Sequence, residues 1–199
     1  MRKPWILPVC VTTTILLLLF VPDVVAGAEA GDLSGLRLYS TAREAFRSGD
    51  YRNALRLANH AAIEAPQDPK VHELASLALF ALGDYRGAAI EAHAAMVFGP
   101  VSDWATLSGH YGDPQAYTKQ LRALEKYVGE HKSAADAHFL AAYHYLMLDA
   151  RADAKDEMAQ AAKLTPKDKL AAHVLQQLES GKAVTPPKLP EPPKPSTQK

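Results

Sequence analysis

The sequence predicts an all-α fold, an α-solenoid of about four helix-turn-helix units closed by a C-terminal capping helix. Three observations carry this prediction. Of 199 residues, 35 are alanine and only 8% are aromatic, and Ala enters a helix without losing side-chain entropy. β-Branched residues form few runs, which leaves little material for strands. Finally, Gly49-Asp50-Tyr51 with Ala54, Ala61 and Pro66 returns 34 residues later as Gly83-Asp84-Tyr85 with Ala88, Ala95 and Pro100. A fixed period of this length in an Ala-rich chain marks a stacked helical repeat.

The N-terminal segment, residues 1–30, reads as an export signal. Arg2 and Lys3 precede an apolar stretch from Ile6 to Val21 that carries no charge before Asp23. Ala26-Gly27-Ala28 and Ala28-Glu29-Ala30 then offer small-residue cleavage triplets. The alternative is an uncleaved membrane anchor holding the same domain outside the membrane. Cys10, the one cysteine, stands ahead of the Leu cluster, whereas a lipoprotein cysteine follows it. One thiol excludes an intramolecular disulfide framework and a four-Cys zinc site.

In each of the first two units, Gly ends a first helix in the left-handed conformation and Asp caps the second. Tyr51 and Tyr85 are expected between the paired helices, with Pro66 and Pro100 stopping the second helix. In the third unit, Trp104, Leu107, Ser108 and Tyr111 share one face of a short helix. Gly112-Asp113-Pro114 breaks it, and Tyr117, Leu121, Leu124 and Val128 form the next apolar stripe. The fourth unit runs from Ala135 to Pro166, with Ala142, Tyr145, Ala154 and Ala161 in register. Asp149 stands in place of its Gly and Arg151 in place of its inter-helix Tyr. A last helix over about 167–180, apolar at Leu170, Val174, Leu175 and Leu178 and polar opposite, suits a solenoid cap. The solenoid with its cap thus spans 35–180. Residues 182–199 hold six of the 14 prolines, four Lys and one Glu. Such a tail is expected to be extended and solvated, a spacer more than a P-x-x-P docking peptide.

Residues 35–168 resemble four tetratricopeptide repeats. The match is carried by Ala42, Tyr51, Ala54, Ala61 and Pro66, then by Tyr85, Ala88, Ala95 and Pro100. Trp104, Leu107 and Tyr111 carry it in the third copy, and Ala142, Tyr145, Ala154, Ala161 and Pro166 in the fourth. The third copy departs most, with Tyr127 where a small Ala is usual and Lys132 where Pro is usual. A looser likeness is to exported bacterial proteins of this family. The resemblance implies a right-handed α-solenoid whose first helices line a concave face holding a peptide or partner helix. Carried over residue by residue, that face comprises Tyr39, Arg43, Phe46 and Arg47, then Lys70, Glu73, Leu77 and Phe80. The fourth copy adds Asp136, Phe139, Tyr143 and Met147. The third supplies Ala105, Gly109, Gly112 and Asp113, so the groove is expected to be open there. Phe46 and Phe80 occupy matching slots and serve equally as packing between helices. The slots in which carboxylate-clamp members carry Lys and Asn read Tyr39 with Arg43 and Glu73 with Leu77, so a chaperone-terminus binder is not expected.

The residues offer no reaction chemistry. His138 and His144 are six apart, on opposed faces of one helix, and no H-E-x-x-H or C-x-x-C occurs. His72 and His138 fill matching packing slots, while His60, His93 and His131 are expected on exposed second-helix surfaces. Neither a G-x-S-x-G turn nor a nucleotide-binding glycine loop is present, and Asp153, Asp156 and Glu157 read as a solvated helix face. No enzyme activity, cofactor or metal is therefore expected. The charges balance at 22 and 22; without the two ends, the body holds 16 basic and 19 acidic residues. That excludes a nucleic-acid binder relying on a broad basic field. The expectation is an exported scaffold, periplasmic or extracellular, that binds an acidic-and-apolar segment of another protein near Arg43, Arg47 and Lys70. The alternative is a tether attached through its N-terminal segment or its Pro-rich tail, with membrane contact only if the N-terminal segment is retained.

Overall fold

The computed structural model describes residues 24–188, with side chains from residue 34 onward. Among them are nine helices and no strand: α1 Val24–Arg47, α2 Tyr51–Glu64, α3 Pro69–Leu82, α4 Tyr85–Phe98, α5 Trp104–His110, α6 Pro114–Glu130, α7 Ala135–Met147, α8 Arg151–Leu164 and α9 Lys169–Glu179. Residues 1–23 and 189–199 lie outside the described residues, and with them most of the export segment and of the Pro-rich tail. The cleavage triplets at 26–30 fall within the backbone of α1.

The sharp turns inside the helix pairs come from one repeated motif. Gly49, Gly83, Asp149 and Gly181 take φ of 85°, 79°, 56° and 69°. In each case that residue bonds three residues back and its successor five back, as in Gly49 N–H to Phe46 O and Asp50 N–H to Ala45 O. This double bond satisfies the last carbonyls of α1, α3, α7 and α9. Asp50 and Asp84 then cap α2 and α4 through the Asn53 and Gly87 amides. Ala150, which precedes α8, has no side-chain cap.

Three pairs, α1–α2, α3–α4 and α7–α8, pack along their lengths, and α9 closes the stack against α8. Ala54, Ala58, Ala78, Ala88, Ala92, Ala142 and Ala154 are buried, so the paired backbones approach closely around Leu74, Leu140 and Met158. The eight repeat helices and the capping helix are all present, but α5 and α6 do not pack along each other as the other pairs do. The third pair, however, stands outside the stack: α7 packs directly on α4, as α3 packs on α2. His93 of α4 meets Phe139 of α7 at 5.6 Å between ring centroids, and its Nε2 lies 3.3 Å from Asp168, the N-cap of α9. His93 is thus a half-buried junction, not the exposed residue that sequence suggested.

The displaced helices lie on the face formed by α1, α3 and α7. α5 touches α1, while α6 packs along α7 and touches α3. The cause is in the connecting turns. Between pairs, the turns 65–68, 131–134 and 165–168 close with the N-cap amide bonding the preceding C-cap carbonyl, as in Asp68 N–H to Ala65 O. The turn from Gly99 to Asp103 is one residue longer and lacks that bond. Its Gly99 presses on Pro69 so closely that a Cβ would sit 2.5 Å from the Pro69 ring, which steers the chain across the start of α3. Tyr85 is drawn into the same departure. Where Tyr51 packs on Phe46 within its pair, Tyr85 packs on Tyr127 of α6, centroids 4.9 Å apart.

Tail residues 182–188 are fastened to the cap. The Thr185 amide donates to Gln177 Oε1, the Gln177 amide donates to Thr185 Oγ1, and Arg151 donates to the Lys182 carbonyl.

Asp149 is the one non-glycine residue with positive φ among the described residues, so Asp149→Gly relieves backbone strain at an otherwise unchanged turn. The variant is expected to gain about 1 kcal/mol in chemical denaturation, and Gly83→Ala to lose about as much. Equal midpoints for Asp149→Gly and the parent chain would show that the turn carries no strain.

Candidate functional site

The residues expected to line a groove divide into two sets. Tyr39 and Arg43 of α1 and Lys70 and Glu73 of α3 meet in an open cleft of about 500 Å³. A recess of about 210 Å³ adjoins it, lined by Ser40, Arg43, Glu44 and Arg47. Phe46, Leu77, Phe80, Tyr143 and Met147, by contrast, are at most 2% exposed. They form core, not groove wall. Asp136 and Phe139 lie apart, in a cleft of about 310 Å³ between α4, α7 and the start of α9.

The correction has a physical reason: the α5–α6 segment sits on the face that was expected to be open. Phe46 meets Tyr111 edge-on at 4.9 Å, Phe80 meets Tyr117 at 6.2 Å, and Tyr117 meets His144 at 5.8 Å. Gly112 lies so close to the Arg47 carbonyl that a Cβ would stand 2.5 Å from it. Ala105 and Gly109 therefore form the far wall of the main cleft, together with Ser102, Thr106 and His110. Sequence reasoning missed Ser102 and His110. The available signal was Glu73, a lone carboxylate in the apolar run of α3 that requires partners when buried.

Glu73 has those partners. It is 5% exposed; the Ser102 hydroxyl donates to it at 2.5 Å, and His110 Nε2 lies 3.4 Å away. Arg43, Arg47 and Lys70 form no ion pair among the described residues. Arg43 lies 6.0 Å over the Tyr39 ring, and burial pushes the Tyr39 hydroxyl up despite the opposing charge of Arg43. The cleft thus presents two cations and an aromatic ring above a carboxylate already held from within.

His72, His138 and His144 act as struts or core. His72 Nδ1 bonds Glu91 at 2.7 Å and its Nε2 bonds the Pro66 carbonyl. His138 repeats this with Glu157 and the Lys132 carbonyl. Glu157 is therefore a pairing residue, not part of a solvated face. His144 is wholly buried at 4.0 Å from the Phe80 ring, and burial lowers its pKa to about 3. No three His, Cys, Asp or Glu side chains converge as a metal site among the described residues. No described helix is long and apolar enough to cross a membrane.

Because the folded pKa of His144 lies below the unfolded value, the unfolded chain binds a proton that the folded chain refuses between about pH 3 and 6.5. The associated stability is complete above pH 6.5 and is lost as pH falls. Denaturation of the parent chain should show a loss of about 2 kcal/mol between pH 7 and pH 5 that His144→Leu lacks. Parallel pH profiles would contradict a neutral buried imidazole.

No protein-family model matches the chain, and no curated protein matches it. Among solved structures it is similar to the first tetratricopeptide unit of Spaghetti (RPAP3) bound to an HSP90 peptide, SRMEEVD. The identity is 15%, over 75% of this chain and 95% of that one, with a TM-score of 0.35. It is also similar to MamA, residues 41 to the end, from Desulfovibrio magneticus RS-1. There the identity is 20%, over 74% of this chain and 85% of that one, with a TM-score of 0.34. By its own 34-residue register, repeated glycine turns and paired helices, the described chain is an all-helical solenoid of helix-turn-helix repeats.

Proposed function

We propose that this protein is a binding scaffold that holds an acidic segment of a partner protein in the cleft between α1, α3 and α5. The observation that carries the reading is the state of its charges. Glu73 is engaged by Ser102 and His110 inside the wall, which leaves Arg43 and Lys70 at the cleft, with Arg47 beyond, free of any ion pair among the described residues. A carboxylate entering there meets planar guanidinium donors and a point charge without displacing an internal partner. Tyr39 adds contact area at low entropic cost. Apolar and polar groups line this cleft in about equal parts, so charge and apolar contact both contribute to the recognition.

The composition of residues 1–30 supports export, and with it a partner in the envelope or outside the cell. A tethering role through the N-terminal segment or the tail is the second reading. The fastening of residues 182–188 to α9 favours it modestly, since a pull on the tail is transmitted to the cap.

Binding should be measured by fluorescence anisotropy of acidic, neutral and basic peptides of equal length. Acidic peptides are expected to bind, with affinity falling as salt rises. Arg43→Glu with Lys70→Glu should weaken them at least about tenfold per cation, roughly 1.4 kcal/mol each. Equal binding by the charge-reversed chain would remove this cleft from consideration.

A further inference from the structure

The α5–α6 segment is joined to the rest of the molecule unlike any other helix pair. The stacked pairs meet through Ala, Leu and Met in a continuous core. This segment reaches the same core through Leu107, Leu124 and Val128, but much of its contact is made by rings and polar groups: Tyr111 on Phe46, Tyr117 on Phe80 and His144, and Ser102 and His110 on Glu73. Three buried side-chain polar atoms lack a hydrogen-bond partner among the described residues: His110 Nδ1, the Tyr143 hydroxyl and His144 Nε2. All three lie at this junction. His110 belongs to α5, His144 faces Tyr117 of α6, and Tyr143, next to His144 with ring centroids 6.0 Å apart, is so buried that its pKa is raised, the nearby Glu73 carboxylate adding to the effect. An unpaired polar atom regains water when its cover lifts, so each lowers the free energy of separation.

The stack does not need the segment to hold together. α4 packs on α7 directly, and both connections of the segment, 99–103 and 131–134, spring from those two helices. We propose that α5–α6 is a detachable cover, an internal occupant of the face formed by α1, α3 and α7. It leaves as one unit while the three stacked pairs and α9 remain folded. Its release uncovers Phe46, Phe80 and His144, an aromatic floor, and frees Glu73 from Ser102 and His110. It also removes one wall of the cationic cleft, so a ligand bound there holds the cover shut. The two states then present different surfaces: a charged cleft when closed and an aromatic face when open. The opening itself is independent of which segment the closed cleft binds.

Native-state hydrogen exchange on the full chain, without ligand, tests the cover directly. Amides of α5 and α6 are expected to exchange together, about a hundredfold or more faster than those of α3, α4 and α7. Tyr143→Phe, on α7, removes one unpaired atom and should slow exchange in both α5 and α6 about fivefold or more. Fraying of the short α5 alone would instead leave α6 as protected as α7 and ignore the substitution. That pattern, exchange of α5 and α6 only through global unfolding, or unchanged rates in Tyr143→Phe would each overturn the proposal.

Discussion

The arrangement of this molecule depends on α4 packing against α7. In an uninterrupted stack, the second helix of one pair receives the first helix of the next, and here that place should belong to α5. α5 has seven residues, about half the length of α3. A helix that short cannot bury a stripe comparable to that of α7, whose Ala137, Phe139, Leu140 and Ala141 are all at most 5% exposed. The longer helix therefore takes the position, with His93 joining Phe139 on α7 and Asp168 at the start of α9. Once α4 and α7 are in contact, the intervening residues have nowhere to go except outward, onto a face. Everything distinctive about the candidate site follows from that displacement.

Much of this was legible before any coordinates. The Gly-Asp-Tyr register located the turns of the first two pairs, because only a residue tolerant of positive φ suits that position and Asp is a strong cap. Asp149 and Arg151 mark the fourth turn as the least typical in sequence, yet Asp149 takes positive φ and the turn keeps the same two hydrogen bonds as the glycine turns. The departure of the third pair was legible only in outline. Its weak punctuation was visible, but the decisive feature is one extra residue: Pro100 stands three before Asp103, whereas Pro66 and Pro166 stand two before Asp68 and Asp168. Periodicity counts apolar positions and is blind to a single insertion in a polar turn. The groove residues were misassigned for the same reason. Phe46, Phe80, Tyr143 and Met147 do lie on first helices, as the register required, yet what covers them is set by tertiary packing.

The paired histidines show how a repeat fold disposes of polar groups. His72 and His138 bridge from a first helix to Glu91 and Glu157 on its partner, and each also bonds a carbonyl in the turn that precedes it. Both imidazole nitrogens are thereby used, so the ring can be buried beside Ala-rich packing without an orphaned atom. The first pair has Leu38 and Leu57 at the corresponding positions, where apolar contact replaces the bridge. Either solution closes the same gap between helices. Neither creates chemistry, because every nitrogen is committed to the fold.

The contrast with Glu73 supports the cleft proposed as the binding site. A buried carboxylate is retained at a cost unless it is fully paired, and an aliphatic residue would pack α3 more simply. Glu73 draws Ser102 and His110 onto α3, a place where the displaced segment is held by charge as well as by rings. The same segment brings His110 Nδ1 into the interior without a partner. A contact that combines a satisfied carboxylate with unsatisfied neighbours specifies where the segment sits without making that seat deep. Arg43 and Lys70 stand on the rim of this junction, so any anion they hold lies against both the stack and the segment. On the proposed reading, recognition at the cleft and the position of α5–α6 are linked through Glu73, and charge reversal at the rim acts on both.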